Sequence, residues 1–480
     1  MADSPPNVLL LLSDQERYDV SAPAGPPVET PAIDRLAADG MRFTRAVTPI
    51  SICTSARASL LTGQFPHGHG MVNNCHEEDA LRVNLDPDLP TFSEQLAGGG
   101  YDLTYTGKWH VGRDQTPEDF GFSYLGGSDV HHDDIDEDFA RYRDEEIGIP
   151  LGEVEFSDAV YTRGGEGSLV AATTPVDVEA TRAYFLARRT IEAIEAHAAG
   201  GDDSVPFFHR ADFYGPHHPY VVPEPYASMY DPDEVELPAS YAETYAGKPR
   251  VQEAFLGYRG VDAFDRETWR EVLAKYWGFV SLIDDQIDRI LSVLDDSGLA
   301  AETVVVHTAD HGDFVGGHRQ FNKGPLMYDD TYRIPLHVRW PGEVAAGSTC
   351  DAPVHLHDLA PTFCEIGDVA VPDSFHARSL RPLLSGRRPH AWPDSTFGQY
   401  YGEEFGLYTQ RMVRTDRYKF VYNGPDVNEL YDLRADPAEL TNLIDHPDYA
   451  AVRRDLVDHL VGWMDETDDP YRRWVPKTFA

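Results

Sequence analysis

Cysteine is scarce in this 480-residue chain. Four residues (53, 75, 350 and 364) are too few and too scattered for a disulfide framework. Lysine is scarcer than its length suggests, with six in all, so arginine carries most of the positive charge. Positive charge as a whole is outweighed: Lys plus Arg is 40 against 81 for Asp plus Glu, a net charge of −41. A surface this acidic repels nucleic acid and anionic membranes, which excludes both as natural partners. It fits a protein adapted to high salt, where the Debye length falls to about 3 Å and self-repulsion is screened. Long hydrophobic runs are also missing. The opening MADSPPNVLLLLSD has no basic segment and only a short apolar run, so it reads as neither signal peptide nor membrane span. The expectation is a soluble, cytoplasmic protein. At 41 % hydrophobic residues the chain has ample material for a large core.

Strand and helix signals alternate along it. NVLLLLSD (7–14) and ETVVVHT (302–308) read as buried strands, each running into acids: Asp14, and Asp310 followed by His311. TPAIDRLAADG (30–40) predicts a helix with Thr30 as N-cap, Pro31 in the first turn and Gly40 at the end. TFSEQLAGGG (91–100) carries a capping box of Thr91 and Glu94, followed by a strand, YDLTYTG. Long amphipathic helices are predicted over 177–199 and 266–296. Alternating helices and apolar strands imply an α/β layered fold. Residues 128–168 break the pattern. HHDDIDEDFARYRDEE is charged and weakly periodic, and reads as an inserted acidic loop or rim. His131 and His132 within it are candidate metal ligands, although a solvated loop suits the composition better. After residue 385 the elements shorten, which predicts a smaller α+β unit ending in a helix near 448–466.

In open α/β sheets ligands gather beyond the carboxyl ends of the strands. If the two acid-ended strands are parallel neighbours, Asp14, Asp310 and His311 converge, with Gln15 able to add an amide oxygen. Hard oxygens with one imidazole suit a divalent cation such as Ca²⁺ or Mg²⁺. SICTSARASLLTG (51–63) places Cys53 at the start of a predicted helix, where a thiol's pKa is ordinarily lowered, and Arg57 one turn on. GKWH (107–110) supplies Lys108 and His110 directly after a strand. GPHHPY (215–220) puts His217 in a proline-bracketed loop, and HRQFNKG (318–324) places Lys323 beyond the Asp-His pair. Cys75, Cys350 and Cys364 read as inert packing residues.

Taken in order, these stretches resemble the type I sulfatases of the alkaline phosphatase superfamily. NVLLLLSDQ is similar to the strand bearing the first metal acid. SICTSARASLLTGQFPHGHG and GKWH are similar to the two sulfatase signatures. TADHGDFVGGHRQFNKGPLMYDDTYRIPLHVRWPG is the most specific match. The resemblance implies an alkaline-phosphatase-like mixed sheet flanked by helices over 1–385, and a C-terminal subdomain over 386–480 with a small antiparallel sheet. It implies that a formylglycine-generating system converts Cys53 to Cα-formylglycine, held as its hydrate. One hydroxyl then attacks sulfur in line and the other expels the sulfate. It further implies that Asp14, Gln15, Asp310 and His311, with residue 53, hold the divalent cation, with Ca²⁺ the expectation and Mg²⁺ or Mn²⁺ as alternatives. Arg57 steadies the site, Lys108 and Lys323 hold sulfate oxygens, His110 takes a proton, and His217 or Lys323 assists the leaving oxygen. The implied substrate is a small-molecule or saccharide sulfate ester. Many relatives carry a second Asp at the Gln15 position, and some carry Asn at the His311 position. The signature here is Cys53-Thr54-Ser55-Ala56-Arg57, with serine where the family has proline or alanine. Two alternatives share the scaffold: a phosphonate monoester or phosphodiester hydrolase, and a non-catalytic anion-binding relative that keeps Cys53 as a thiol. The segments 128–168 and 224–265 are the variable ones that would meet the leaving group.

Overall fold

The computed structural model describes residues 5–127, 129, 131–152, 154–200, 205–403 and 406–476. Parts of the opening segment (1–4), of the acidic insertion (128, 130 and 153) and of the C-terminus (477–480) lie outside the described residues.

An eight-stranded mixed sheet forms the centre. Its order is Ser348–Cys350, Met41–Phe43, Leu336–Arg339, Thr303–Ala309, Asn7–Asp14, Phe207–Pro216, Asp102–Gly107 and Ser123–Tyr124. The four central strands, from Thr303–Ala309 to Asp102–Gly107, all run parallel. Their carboxyl ends therefore open on the same edge. Asn7–Asp14 is apolar on both faces because both are covered. Leu9 and Leu11 face a cluster with Leu36, Leu186, Ile287 and Leu291, from the helices Pro31–Asp39, Arg182–Gly200 and Arg266–Asp296. Val8, Leu10 and Leu12 face the other way, toward Leu60, Leu96 and Phe363 of Cys53–Thr62, Phe92–Gly98 and Leu359–Ile366. The two-residue period of the strand splits one leucine run between two cores.

A second sheet of four antiparallel strands (Thr396–Glu403, Gly406–Arg414, Tyr418–Tyr422, Glu429–Asp432) packs against the helix Ala450–Glu466. Leu430, Leu460 and Trp463 lie in its core. Among the described residues, no helix is long and apolar enough to cross a membrane.

Several local expectations need correction. The Thr30 side chain makes no capping bond. The Asp284 carboxylate does that work from the long helix, accepting hydrogen bonds from Ala32 N and Ile33 N at 2.9 Å each. Asp284 is fully buried, and burial lifts its pKa to about 7 against the pull of those two bonds. Asp284→Ala is expected to cost about 2 kcal/mol of stability, since it orphans two buried N–H groups at a helix start. Urea unfolding measures it, and a cost under about 0.5 kcal/mol would remove this tertiary cap from the account. Gly40 ends that helix as expected, with φ −138, and a Cβ there would lie 2.3 Å from Val338 O. The helix predicted over 177–199 is split. A 3₁₀ turn (Val178–Ala180) precedes Arg182–Gly200, with Thr181 extended between them and its hydroxyl accepting from Tyr184 N. The capping box of Thr91 and Glu94 forms as expected.

The acidic insertion is more ordered than its composition suggests. It holds a helix (Asp133–Arg141), a π-helical turn (Tyr142–Ile147) and a strand (Ser157–Tyr161). Phe139 and Tyr142 pack on Phe185, so a buried apolar face runs beneath the charged one.

Candidate active site

The strand register brings the predicted residues together. Ser13 pairs with Ala309, so Asp14 and Asp310 leave the sheet side by side. Gly107, two strands from Asp14, pairs with Asp212 on the strand between them, and Lys108 follows it. Gly107 has φ +100, and a Cβ there would lie 2.1 Å from Asp212 O, so only glycine turns the chain at that point. Cys53 is the first residue of its helix, and every residue of that helix is buried.

Arg57 is the hub. Its Nε donates to Asp310 Oδ2 at 2.9 Å, one Nη to Asp212 Oδ2 at 2.7 Å, and the other to Asp14 Oδ2 at 3.3 Å. Lys108 Nζ also donates to Asp14 Oδ2. Burial opposes ionisation of Asp14, but Lys108, Arg57 and His311 outweigh it and hold its pKa well below the usual carboxylate range. Asp310 Oδ1 accepts from the backbone N–H groups of Gln15 (3.0 Å) and His311 (2.9 Å). Gln15 adopts φ +67, a left-handed geometry that a non-glycine residue holds only when its surroundings enforce it. Here Asp313 Oδ2 accepts from Gln15 Nε2 at 2.6 Å, which turns Gln15 Oε1 toward Lys323 Nζ at 3.2 Å. His311 donates from Nδ1 to Gly312 O at 2.8 Å. Its Nε2 lone pair then faces Cys53 Sγ at 3.2 Å.

Ligand atoms of Asp14, Cys53, Asp310 and His311 all lie within 4.8 Å of one another. Two carboxylates, a nearby amide oxygen and one oriented imidazole make a donor set that fits a hard divalent cation, and the His311–Gly312 bond is the outer support such a ligand needs.

Cys53 departs from the helix-terminus expectation. Burial first, then the Asp14 carboxylate, push its thiol up to about 12, beyond what Lys108 and Lys323 recover. A thiol left there is a poor nucleophile near neutrality. Sγ is also 3.7 Å from Asp14 Oδ1. The side chain of Ser55, two residues on, is buried with no hydrogen-bond partner among the described residues.

His217 and Lys323 face each other at 3.4 Å. His217 donates from Nδ1 to His218 O at 2.6 Å, so Nε2 carries its lone pair toward the ammonium. Burial, then His218 and Lys323, drive its pKa well below the ordinary value, and it stays neutral. His110 has φ +52 and shares a 2.8 Å hydrogen bond between its Nε2 and His76 Nδ1. Its Nδ1 is buried without a partner among the described residues. Burial, then Lys108, His131 and His76, hold it neutral as well.

Reading the sequence alone missed several residues. Asp212 joins Arg57, Arg210 and the Tyr105 hydroxyl; the visible signal was HRAD, a charge pair inside an otherwise apolar strand. Asp313 fixes Gln15. His131 is no solvated loop residue: it stacks on His76 at 4.0 Å and on His110 at 4.7 Å. The three rings lie within 30° of parallel, and one ligand nitrogen from each falls within 4.8 Å of the others. Tyr214, under Lys108 Nζ at 4.9 Å, was also unforeseen.

The chain as a whole is similar to known proteins. The family model described as Sulfatase matches residues 6–369, and one described as N-sulphoglucosamine sulphohydrolase, C-terminal, matches 316–466. The chain is 30 % identical to the uncharacterized sulfatase YidJ of Escherichia coli (strain K12), over 98 % of this chain and 89 % of that protein. It is 27 % identical to an arylsulfatase of Clostridium perfringens (strain 13 / Type A), over 95 % and 92 %. In three dimensions it is similar to the phosphonate monoester hydrolase of Agrobacterium radiobacter, with a TM-score of 0.81, 27 % identity and 96 % of each chain covered.

Proposed function

The chain belongs to the sulfatase family and hydrolyses sulfate esters, and from that premise we propose how its own residues do so. The observation that carries the reading is the convergence of Asp14, Cys53, Asp310 and His311, flanked by Lys108 and Lys323, at the open edge of four parallel strands.

Cys53 works as Cα-formylglycine, whose hydrate supplies an oxygen nucleophile that the raised thiol does not. Asp14, Gln15, Asp310 and His311 hold a divalent cation, best suited to Ca²⁺, which supplies Lewis acidity at the reacting oxygens. Lys108 and Lys323 bind the sulfate oxygens from two sides, and Arg57 keeps the three carboxylates in register. Overall, the ester S–O bond breaks, a water oxygen ends on sulfate, and the alcohol leaves with a proton. With His217 Nε2 unprotonated, that proton comes from Lys323, and His217 orients the ammonium. His110 accepts a proton at its open Nδ1. These cations also make the site locally positive within a chain of net charge −41. Cytoplasmic placement and a high-salt milieu complete the proposal.

The test is a substrate panel run with and without chelator. Sulfate esters are expected to turn over, with loss on chelation and recovery on adding Ca²⁺. The likeness to a phosphonate monoester hydrolase makes phosphonate monoesters the second class to assay. Faster turnover of phosphonates than of sulfates would overturn the assignment.

A further inference from the structure

A cavity of about 570 Å³ opens beside the catalytic cluster, with Tyr214 and His217 in its wall. This places it against the leaving-group side, since His217 faces Lys323 and Tyr214 lies beneath Lys108. The volume falls in the range that takes an organic group of several rings. Its remaining walls are mostly apolar: Phe139 and Val154 from the insertion, Leu169 and Val221 from the three-stranded sheet of Ser157–Tyr161, Leu169–Thr174 and Tyr220–Pro223, and Phe279 and Leu282 from the long helix. Leu151 and Phe156 also line it, and both are among the large apolar side chains most exposed on the molecule, at 40 % and 43 %. Apolar groups held open to water at a cavity wall mark a surface that is covered in use.

Two guanidiniums, Arg143 and Arg182, interrupt this lining. Arg143 is 5 % exposed. Its Nε donates to Ile149 O at 2.9 Å and one Nη to Ala180 O at 3.0 Å. Its second Nη has no hydrogen-bond partner among the described residues. Arg182, the neighbouring guanidinium in the wall, is by contrast paired with Asp136. A buried guanidinium nitrogen with nothing to donate to is costly, and an incoming anionic acceptor removes that cost.

We infer that the sulfate ester taken by this site is that of a hydrophobic, ring-containing alcohol or phenol bearing a carboxylate on the part remote from the sulfate, which Arg143 receives. The inference rests on the sulfatase reading for its orientation, with the ester oxygen at Lys323 and the ring system in the cavity. An oligosaccharide fits poorly, because its hydroxyls would meet walls with few partners to offer.

Two measurements separate this inference from the hydrolase assignment. In the first, kcat/KM is compared for 2-naphthyl sulfate, 6-sulfooxy-2-naphthoate and glucosamine 6-sulfate. Both naphthyl esters are expected to exceed the sugar by roughly 100-fold, the effect of burying about 100 Å² more apolar surface. The carboxylate is expected to add a further ~10-fold through a charged hydrogen bond, and Arg143→Met to collapse that second ratio toward unity while Arg143→Lys keeps part of it. A preference for the sugar overturns the inference. In the second, calorimetry follows 6-hydroxy-2-naphthoate and 2-naphthol binding to the full chain, with no need for turnover. Tighter binding of the naphthoate by ~10-fold, lost in Arg143→Met, supports it. Equal binding of the two overturns the role of Arg143, and binding of neither overturns the cavity assignment even where sulfate esters are hydrolysed. Naphthoate binding without hydrolysis of any sulfate ester supports the cavity and defeats the hydrolase reading instead.

Discussion

Cys53→Ala is expected to lower kcat on a sulfate ester by about 10⁴-fold or more, the scale on which removing a covalent nucleophile acts. The fold should tolerate it. Cys53 sits at a helix start and contributes one sulfur to a polar cluster, so the midpoint of urea unfolding is expected to move little. The same residue allows a check on its chemical state. Tryptic cleavage releases residues 46–57, AVTPISICTSAR, in which Cys53 is the one cysteine. An aldehyde mass on that peptide from the native host, together with dead Cys53→Ala, fixes the nucleophile and shows that the converting system accepts Ser55. A thiol mass in fully active protein would sink the formylglycine proposal, because turnover would then proceed without the aldehyde hydrate. Conversion, on this proposal, would have to precede folding: every residue of Cys53–Thr62 is buried, so an enzyme would not reach that segment in the finished structure.

The strands that carry the site were legible because their chemistry is local. A run such as Val8–Leu12 is apolar on both faces and ends in an acid, and two such runs in a parallel sheet place their acids together. Lys108 and His110 could be found for the same reason, directly after a strand. What escaped notice was set by distance in sequence. The cap on the helix Pro31–Asp39 comes from Asp284, some 250 residues away, while the adjacent Thr30 has the right chemistry and does not use it. Asp212 and Asp313 are ordinary acids until the fold delivers Arg57 to one and Gln15 to the other. The insertion misled because its charge hides an apolar face of Phe139 and Tyr142, and its role emerges only when Phe139 and Arg143 are seen in the wall of a cavity that ends at His217.

Arg57→Met should have the second large effect, and on two observables of different sign with respect to cation. In the folded chain Arg57 has no exposed surface and holds Asp14, Asp212 and Asp310 at once. Removing it leaves three buried carboxylates facing one another, a loss expected at about 3–5 kcal/mol in unfolding free energy for chelated protein. Lys108 still neutralises part of Asp14, and Arg210 part of Asp212, so Asp310 bears most of the loss. A divalent cation, if held by Asp14 and Asp310 as proposed, would supply replacement charge to those carboxylates, so added Ca²⁺ should recover a larger share of stability in Arg57→Met than in the native chain. Turnover should not recover with it. The guanidinium also donates to Lys108 O at 3.0 Å and so fixes the backbone from which one sulfate-binding lysine projects, a constraint no cation restores. Urea unfolding with and without Ca²⁺, paired with kcat/KM under the same conditions, reads both effects. A variant less than about 1 kcal/mol weaker than the native chain in chelator would mean that the three acids are partly protonated or solvated in the fold, and the charge balance drawn for this site would be wrong. Recovery of kcat/KM together with stability would leave Arg57 a purely structural residue.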